Sequence, residues 1–166
     1  MTVSVKTFRI AVVGLVLLVA GIVAATWESE ATRVRKVFAT VERNLHKEGS
    51  ENPVATALRA KRLTETLAPS ARITIPELGF DVAMNPDRIQ REALYVLGSS
   101  DTLKVTFESL SVQVDGDSAT ATADVLVVGS STEFGRGRNV RALTTRLEKD
   151  SGQWRFRSVR LDPIVK

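Results

Sequence analysis

An α+β architecture follows from three features of this 166-residue sequence. Helical periodicity occurs only in segments before Gly98, period-two alternation fills nearly everything after it, and the separators among the later runs are short Asp/Gly/Ser clusters that suit hairpins instead of helical crossovers. Helices and strands are therefore grouped, not interleaved, and a parallel sheet is not expected. With 43% hydrophobic residues, 25% charged residues and no cysteine, the chain is globular in composition. Thiol nucleophiles, CxxC redox pairs and Cys-ligated metal sites are excluded.

The first element is apolar throughout. The stretch 10–27, beginning with Ile10 and closing with Trp27, reads IAVVGLVLLVAGIVAATW without a charge. As a helix it would be about 27 Å long, close to the thickness of a bilayer's hydrocarbon core. Lys6 and Arg9 precede it and Glu28 and Glu30 follow it, so the positive-inside rule leaves the N-terminus in the cytoplasm and exports the rest. Residues 1–27 are thus expected to be a cytoplasmic tip plus a signal anchor, and residues 28–166 one exported domain. Two alternatives are a cleaved signal peptide, for which Val23-Ala24-Ala25 has suitably small residues, and a helix buried inside a soluble protein.

In the exported part, Ala31, Val34, Val37, Phe38, Val41 and Leu45 recur at spacings of three and four, which predicts an amphipathic helix interrupted by Gly49-Ser50. Asn52-Pro53 supplies an N-cap and first turn for a second helix running to about Leu67, and Pro69 ends it. Alternation at Arg72-Ile73-Thr74-Ile75 and again at Phe80 to Met84 predicts a short hairpin. Asn85-Pro86 opens a third helix, with Ile89, Ala93, Leu94 and Leu97 on one face, and Gly98-Ser99-Ser100 stops it. Four strands follow, over 103–114, 119–128, 139–148 and 153–161. Asp115-Gly116-Asp117, a loop from Gly129 to Gly137 and Asp150-Ser151-Gly152 separate them, giving an antiparallel meander.

This order resembles the nuclear transport factor 2-like superfamily over roughly residues 30–163. The likeness is carried by the helix end Leu67-Ala68-Pro69-Ser70-Ala71-Arg72-Ile73 and by Val112-Gln113-Val114-Asp115-Gly116-Asp117-Ser118-Ala119-Thr120-Ala121. A third stretch, Leu147-Glu148-Lys149-Asp150-Ser151-Gly152-Gln153-Trp154-Arg155-Phe156, runs on to Leu161-Asp162-Pro163. The resemblance implies a cone in which a bent antiparallel sheet wraps three helices. Enzymes of the ketosteroid isomerase kind in that superfamily keep a carboxylate just before the proline that ends the first strand. Here Ile75 stands at that position, and Leu143 stands where a protonated acid would sit.

Weak catalytic candidates remain. Glu77 lies just past Pro76, Tyr95 is the one tyrosine, and Asp124 interrupts an apolar strand, where it would need Arg141, Arg146 or Thr144 as a partner. His46, the sole histidine, reads as a solvated residue at a helix C-terminus, and no spacing suits a metal. Residues 77–124 carry nine acids and three bases, and residues 133–166 carry nine bases and four acids. Those opposite charges either pair across the sheet or leave Arg155 and Arg157, with Arg141, Arg136 and Arg138, as a face for an acidic partner or lipid headgroups. Beyond the bilayer, the expected partners are an envelope protein or a small apolar ligand inside the cone, and a second copy by analogy. Neither nucleic acid nor a cofactor is expected. The leading expectation is a non-catalytic binding domain tethered in a bacterial inner membrane. The alternatives are a lyase or isomerase acting on a hydrophobic small molecule, and a domain without a pocket that only positions the anchor.

Overall fold

The computed structural model describes residues 28–131 and 135–164 of the chain. The predicted membrane anchor at 10–27 lies outside the described residues, and no helix among the described residues is long and apolar enough to cross a membrane.

Three helices form where the sequence places them. α1 (Glu30–Leu45) is capped by Ser29, whose side chain accepts from the Thr32 N–H at 3.2 Å. α2 (Pro53–Glu65) and α3 (Pro86–Ser99) start with the Asn-Pro pairs, Asn52 accepting from Val54 N and Asn85 from Arg88 N, each at 2.9 Å. α2 stops two residues short of Leu67, with Thr66 as its C-cap. Pro69 therefore does not end the helix but sits inside the next strand. α3 ends within Gly98-Ser99-Ser100 as expected, its last helical residue being Ser99 and its C-cap Ser100.

Among the described residues, seven strands make one sheet. They are β1 (Lys47–Glu48), β2 (Leu67–Ile75), β3 (Phe80–Met84), β4 (Thr102–Asp115), β5 (Ser118–Ser131), β6 (Gly135–Asp150) and β7 (Gln153–Pro163). Their order is β1-β4-β5-β6-β7-β2-β3. The sheet is mixed, which corrects the antiparallel expectation: β2 and β7 run parallel, pairing Ile73 with Val159 and Thr74 with Arg160. Nearly ninety residues separate these partners, and no turn joins them to set their relative direction. β1 is too short to carry a periodic signal. It is held at the sheet edge by Lys47, which is buried and donates from Nζ to the carbonyls of Leu97 (2.7 Å) and Ser100 (2.5 Å) at the end of α3. The expected Gly129–Gly137 loop is largely ladder, because backbone pairing continues through Gly129 opposite Gly137 to Ser131 opposite Gly135.

Three slips in register bend the sheet, one of them between Leu67 and Arg72 where β2 meets β7. Between Glu108 and Ser111 the β4–β5 ladder shifts, with Ser109 at φ 54°. In the β6–β7 ladder Arg146 faces Ser158 and Leu147 faces Phe156, so Arg157 is the extra residue. On the inner face Phe38 of α1 meets Phe107 and Phe156 edge-on, with ring centroids 5.1 and 5.0 Å apart. Val34, Leu97 and Leu147 complete the fully buried apolar centre.

Candidate functional site

The inner face of the sheet and the three helices line a cavity of about 470 Å³ that is open to solvent on one side. Its walls come from Val41 and Leu45 on α1, Ile89 and Val96 on α3, and inward residues of β4 to β7 such as Val125 and Leu143. The alternation of each strand accounts for this lining: on β5, Ala119, Ala121, Ala123 and Val125 are buried in turn while the residues between them face outward. Only two of the described lining residues are polar. The Thr66 hydroxyl donates to the Leu63 carbonyl at 2.7 Å, and Glu92 of α3 is exposed at the cavity's edge, with no hydrogen bond or ion pair to a described residue. Such a space can hold an apolar molecule by burial, and Glu92 is the one ionisable group able to meet a polar end of it.

A profile of the SnoaL-like domain matches residues 55–160, more than half of the chain, and that span holds most of the strand residues that line the cavity. The chain belongs to the SnoaL-like domain family. The SnoaL-like fold places it in the nuclear transport factor 2-like superfamily that the sequence resembles. Among solved structures it is similar to a candidate aromatic ring hydroxylase from Novosphingobium aromaticivorans, at 12% identity over 82% of this chain and 90% of that one (TM-score 0.66). It is also similar to a candidate scytalone dehydratase from the same organism, at 13% identity over 80% and 83% (TM-score 0.65). A candidate dehydratase of the NTF2-like family from Streptomyces avermitilis matches at 12% identity over 82% and 97% (TM-score 0.61). Identities this low establish the fold alone. No curated protein matches the chain.

Within this SnoaL-like domain the catalytic candidates read from the sequence do not converge. Asp124 pairs in register with Glu108 and Ala142 on the outer face of the sheet, away from the cavity. Arg141 is not its partner: it lies opposite Val125, on the inner face, and forms an ion pair with Glu77 in the 3₁₀ turn Pro76–Leu78. Glu77 is thereby held outside the cavity lining, and Tyr95 is 57% exposed on α3. Leu143 is buried and contributes to the cavity wall, so an apolar side chain occupies the place where the resemblance implies an acid.

The arginines separate in the same way. Arg155 and Arg157 project from the outer face of β7, Arg155 paired with Asp150 at 3.4 Å and Arg157 with Glu148 at 3.7 Å, whereas Arg141 is on the other side of the sheet. Arg160 bonds Asp162 at 2.8 Å, so the arginines of β7 pair with acids of their own C-terminal half instead of with the acid-rich middle of the chain. His46 caps α1, with Nε2 3.1 Å from Glu48. Glu92 is the residue that sequence reasoning passed over. The signal was present: it lies three residues after Ile89 and four before Val96, on the apolar stripe of α3.

Proposed function

We propose that this chain is a single-pass inner-membrane protein whose SnoaL-like domain lies outside the cytoplasm and binds an apolar small molecule without transforming it. One observation carries the binding reading: a cavity of about 470 Å³ whose only polar side chains among the described lining residues are a committed hydroxyl and a carboxylate at its edge. Proton-transfer chemistry asks for an acid or base within about 3 Å of the reacting atom, and the interior offers none among the described residues. The membrane placement is supported by the uncharged run at 10–27 and the charges on either side of it.

The test is uptake of an apolar fluorophore, N-phenyl-1-naphthylamine, by residues 28–166. Leu143→Trp, which fills the cavity from its wall, is expected to weaken saturable binding by about tenfold or more while the fold is retained. Absence of saturable binding, or a folded Leu143→Trp that binds as well as the parent, would overturn the reading. A lyase reading draws on the neighbours named as candidate dehydratases and on Glu92 at the cavity edge. Turnover of an apolar hydroxy compound that disappears in Glu92→Gln would establish it in place of simple binding.

A further inference from the structure

On the opposite side of the sheet from the cavity, two irregular strands meet and leave a recess. In β2, Leu67 and Arg72 are five positions apart while their partners on β7, Phe156 and Ser158, are only two apart, so the chain between them bows out of the ladder. Pro69, which has no N–H to give, lies in that bow. In β7 the extra residue is Arg157. Trp154 and Phe156 before it point inward, and Val159 and Leu161 after it do the same, so Arg157 and Ser158 are consecutive residues that both face outward.

The recess between the two bulges has a volume of about 480 Å³ and is lined by Ser70, Arg72, Arg146, Glu148, Arg157 and Ser158, with Ala83 on the edge strand opposite Arg72. Arg146, Ser158 and Arg72 are in register across β6, β7 and β2, which sets the two arginines about 10 Å apart with a serine between them. Flexible side chains on such a base can close on a single ion from both sides. The third guanidinium enters from the bulge, where Arg157 donates to the Ser70 hydroxyl and, at 3.4 Å, to the Ser70 carbonyl.

Donor accounting favours an anion. A guanidinium has five N–H donors. Arg72 spends two of them on Asp81, at 2.7 and 2.8 Å, and Arg157 approaches Glu148 only to 3.7 Å, beyond a good hydrogen bond. Arg146 is exposed and has no hydrogen bond or ion pair with a described residue. Three guanidiniums and two serine hydroxyls thus face a space whose lining holds one carboxylate. A carboxylate ligand would satisfy one such fork, whereas a tetrahedral oxyanion offers oxygens in several directions and can engage all three.

We propose that this recess is a binding site for a phosphate oxyanion, separate from the cavity, with Arg146 as its uncommitted cation and the paired β2 and β7 bulges as its frame. The phosphate could arrive free or as the headgroup of an anionic lipid. Both present the same oxygens.

The full chain in a nonionic detergent can be titrated at constant ionic strength with inorganic phosphate and, separately, with glycerophosphoglycerol, a deacylated phosphodiester headgroup, and followed by ³¹P line broadening. Saturable binding of phosphate is expected. Arg146→Gln removes no ion pair among the described residues, so it should leave thermal unfolding unchanged while weakening the affinity by about tenfold. Arg138→Gln, on the same strand but outside the recess, should bind like the parent. Binding of both ligands assigns the site to a headgroup, and binding of inorganic phosphate alone assigns it to a free phosphate. The proposal falls if neither ligand saturates, if Arg146→Gln binds as tightly as the parent, or if Arg138→Gln weakens binding as much as Arg146→Gln does.

Discussion

Glu30 ties the start of α1 to the far end of the chain. Its carboxylate accepts from Trp154 Nε1 at 2.7 Å, from Lys149 Nζ at 3.0 Å and from Arg33 at 3.1 Å. The Trp154 hydrogen bond first, and Lys149 next, hold the Glu30 carboxyl below its ordinary value of 4.5. A carboxyl whose pKa is lower in the folded state binds protons more readily when unfolded. Its contribution is therefore fully present above about 4.5 and is lost as the pH falls through the folded value. Glu30→Gln is accordingly expected to melt at a lower temperature than the parent at pH 7, and the two melting curves should converge as the pH is taken below 4.5 in a series of thermal unfolding scans. Asp81, held down by its bonds to Arg72, adds to the parent's acid sensitivity in the same direction but is common to both proteins. None of this could be read from the sequence, because Lys149 and Trp154 lie 119 and 124 residues from Glu30. The Asn52 and Asn85 caps were legible, since a cap acts within three residues. Glu92 was half-legible: its place on an apolar stripe can be counted, but not the presence of a cavity behind that stripe.

Among the elements, α1 depends on one side chain more than any other. Phe38 is 1% exposed and edge-on to rings from β4 and β7, so it joins the helix to strands on both sides of the sheet's centre. Phe38→Ala is expected to lower stability by about 3–5 kcal/mol, read from the urea midpoint, through lost burial and the void left behind. Gly129 shows a constraint of the opposite kind. A Cβ built there would lie 2.8 Å from the Thr102 carbonyl oxygen, a backbone atom that cannot swing aside, so Gly129→Ala should force the β4–β5 ladder apart and cost roughly 1–3 kcal/mol in the same assay. The helices were legible as elements because their caps and 3.6-residue period are local. The bulges left a trace too: inward residues run Leu103, Val105, Phe107 and then Leu110, Val112, Val114, a slip of one in the alternation. The parallel β2–β7 pair left none, since a strand's own pattern does not record which neighbour it meets or in which direction.

For the whole molecule, the two faces of one sheet have separate chemistry. The inner face is largely apolar and lines a cavity, with the Arg141–Glu77 pair outside that lining; the outer face carries Arg72, Arg146, Arg155 and Arg157 and the recess between the bulges. Among the described residues, the main buried cluster runs from Val34 on α1 to Phe156 on β7. Residues 28–166 are expected to unfold in a single cooperative transition and to stay in the supernatant after alkaline carbonate treatment, whereas the full chain sediments with membranes. A full chain released by carbonate would remove the anchor from the proposal and leave the cavity untouched. Short-range physics, in the form of caps, periodicity and turn residues, was enough to establish an α+β chain of three helices and a meander, and the resemblance of that element order and its turn stretches pointed to the right superfamily. The mixed sheet, the separation of Asp124 from the cavity, the pairing of Arg141 with Glu77 and the convergence of Arg72, Arg146 and Arg157 came from the folded molecule. Each depends on which distant strands become neighbours and on which face a register slip turns outward, and a linear pattern holds no information about either until the sheet has closed.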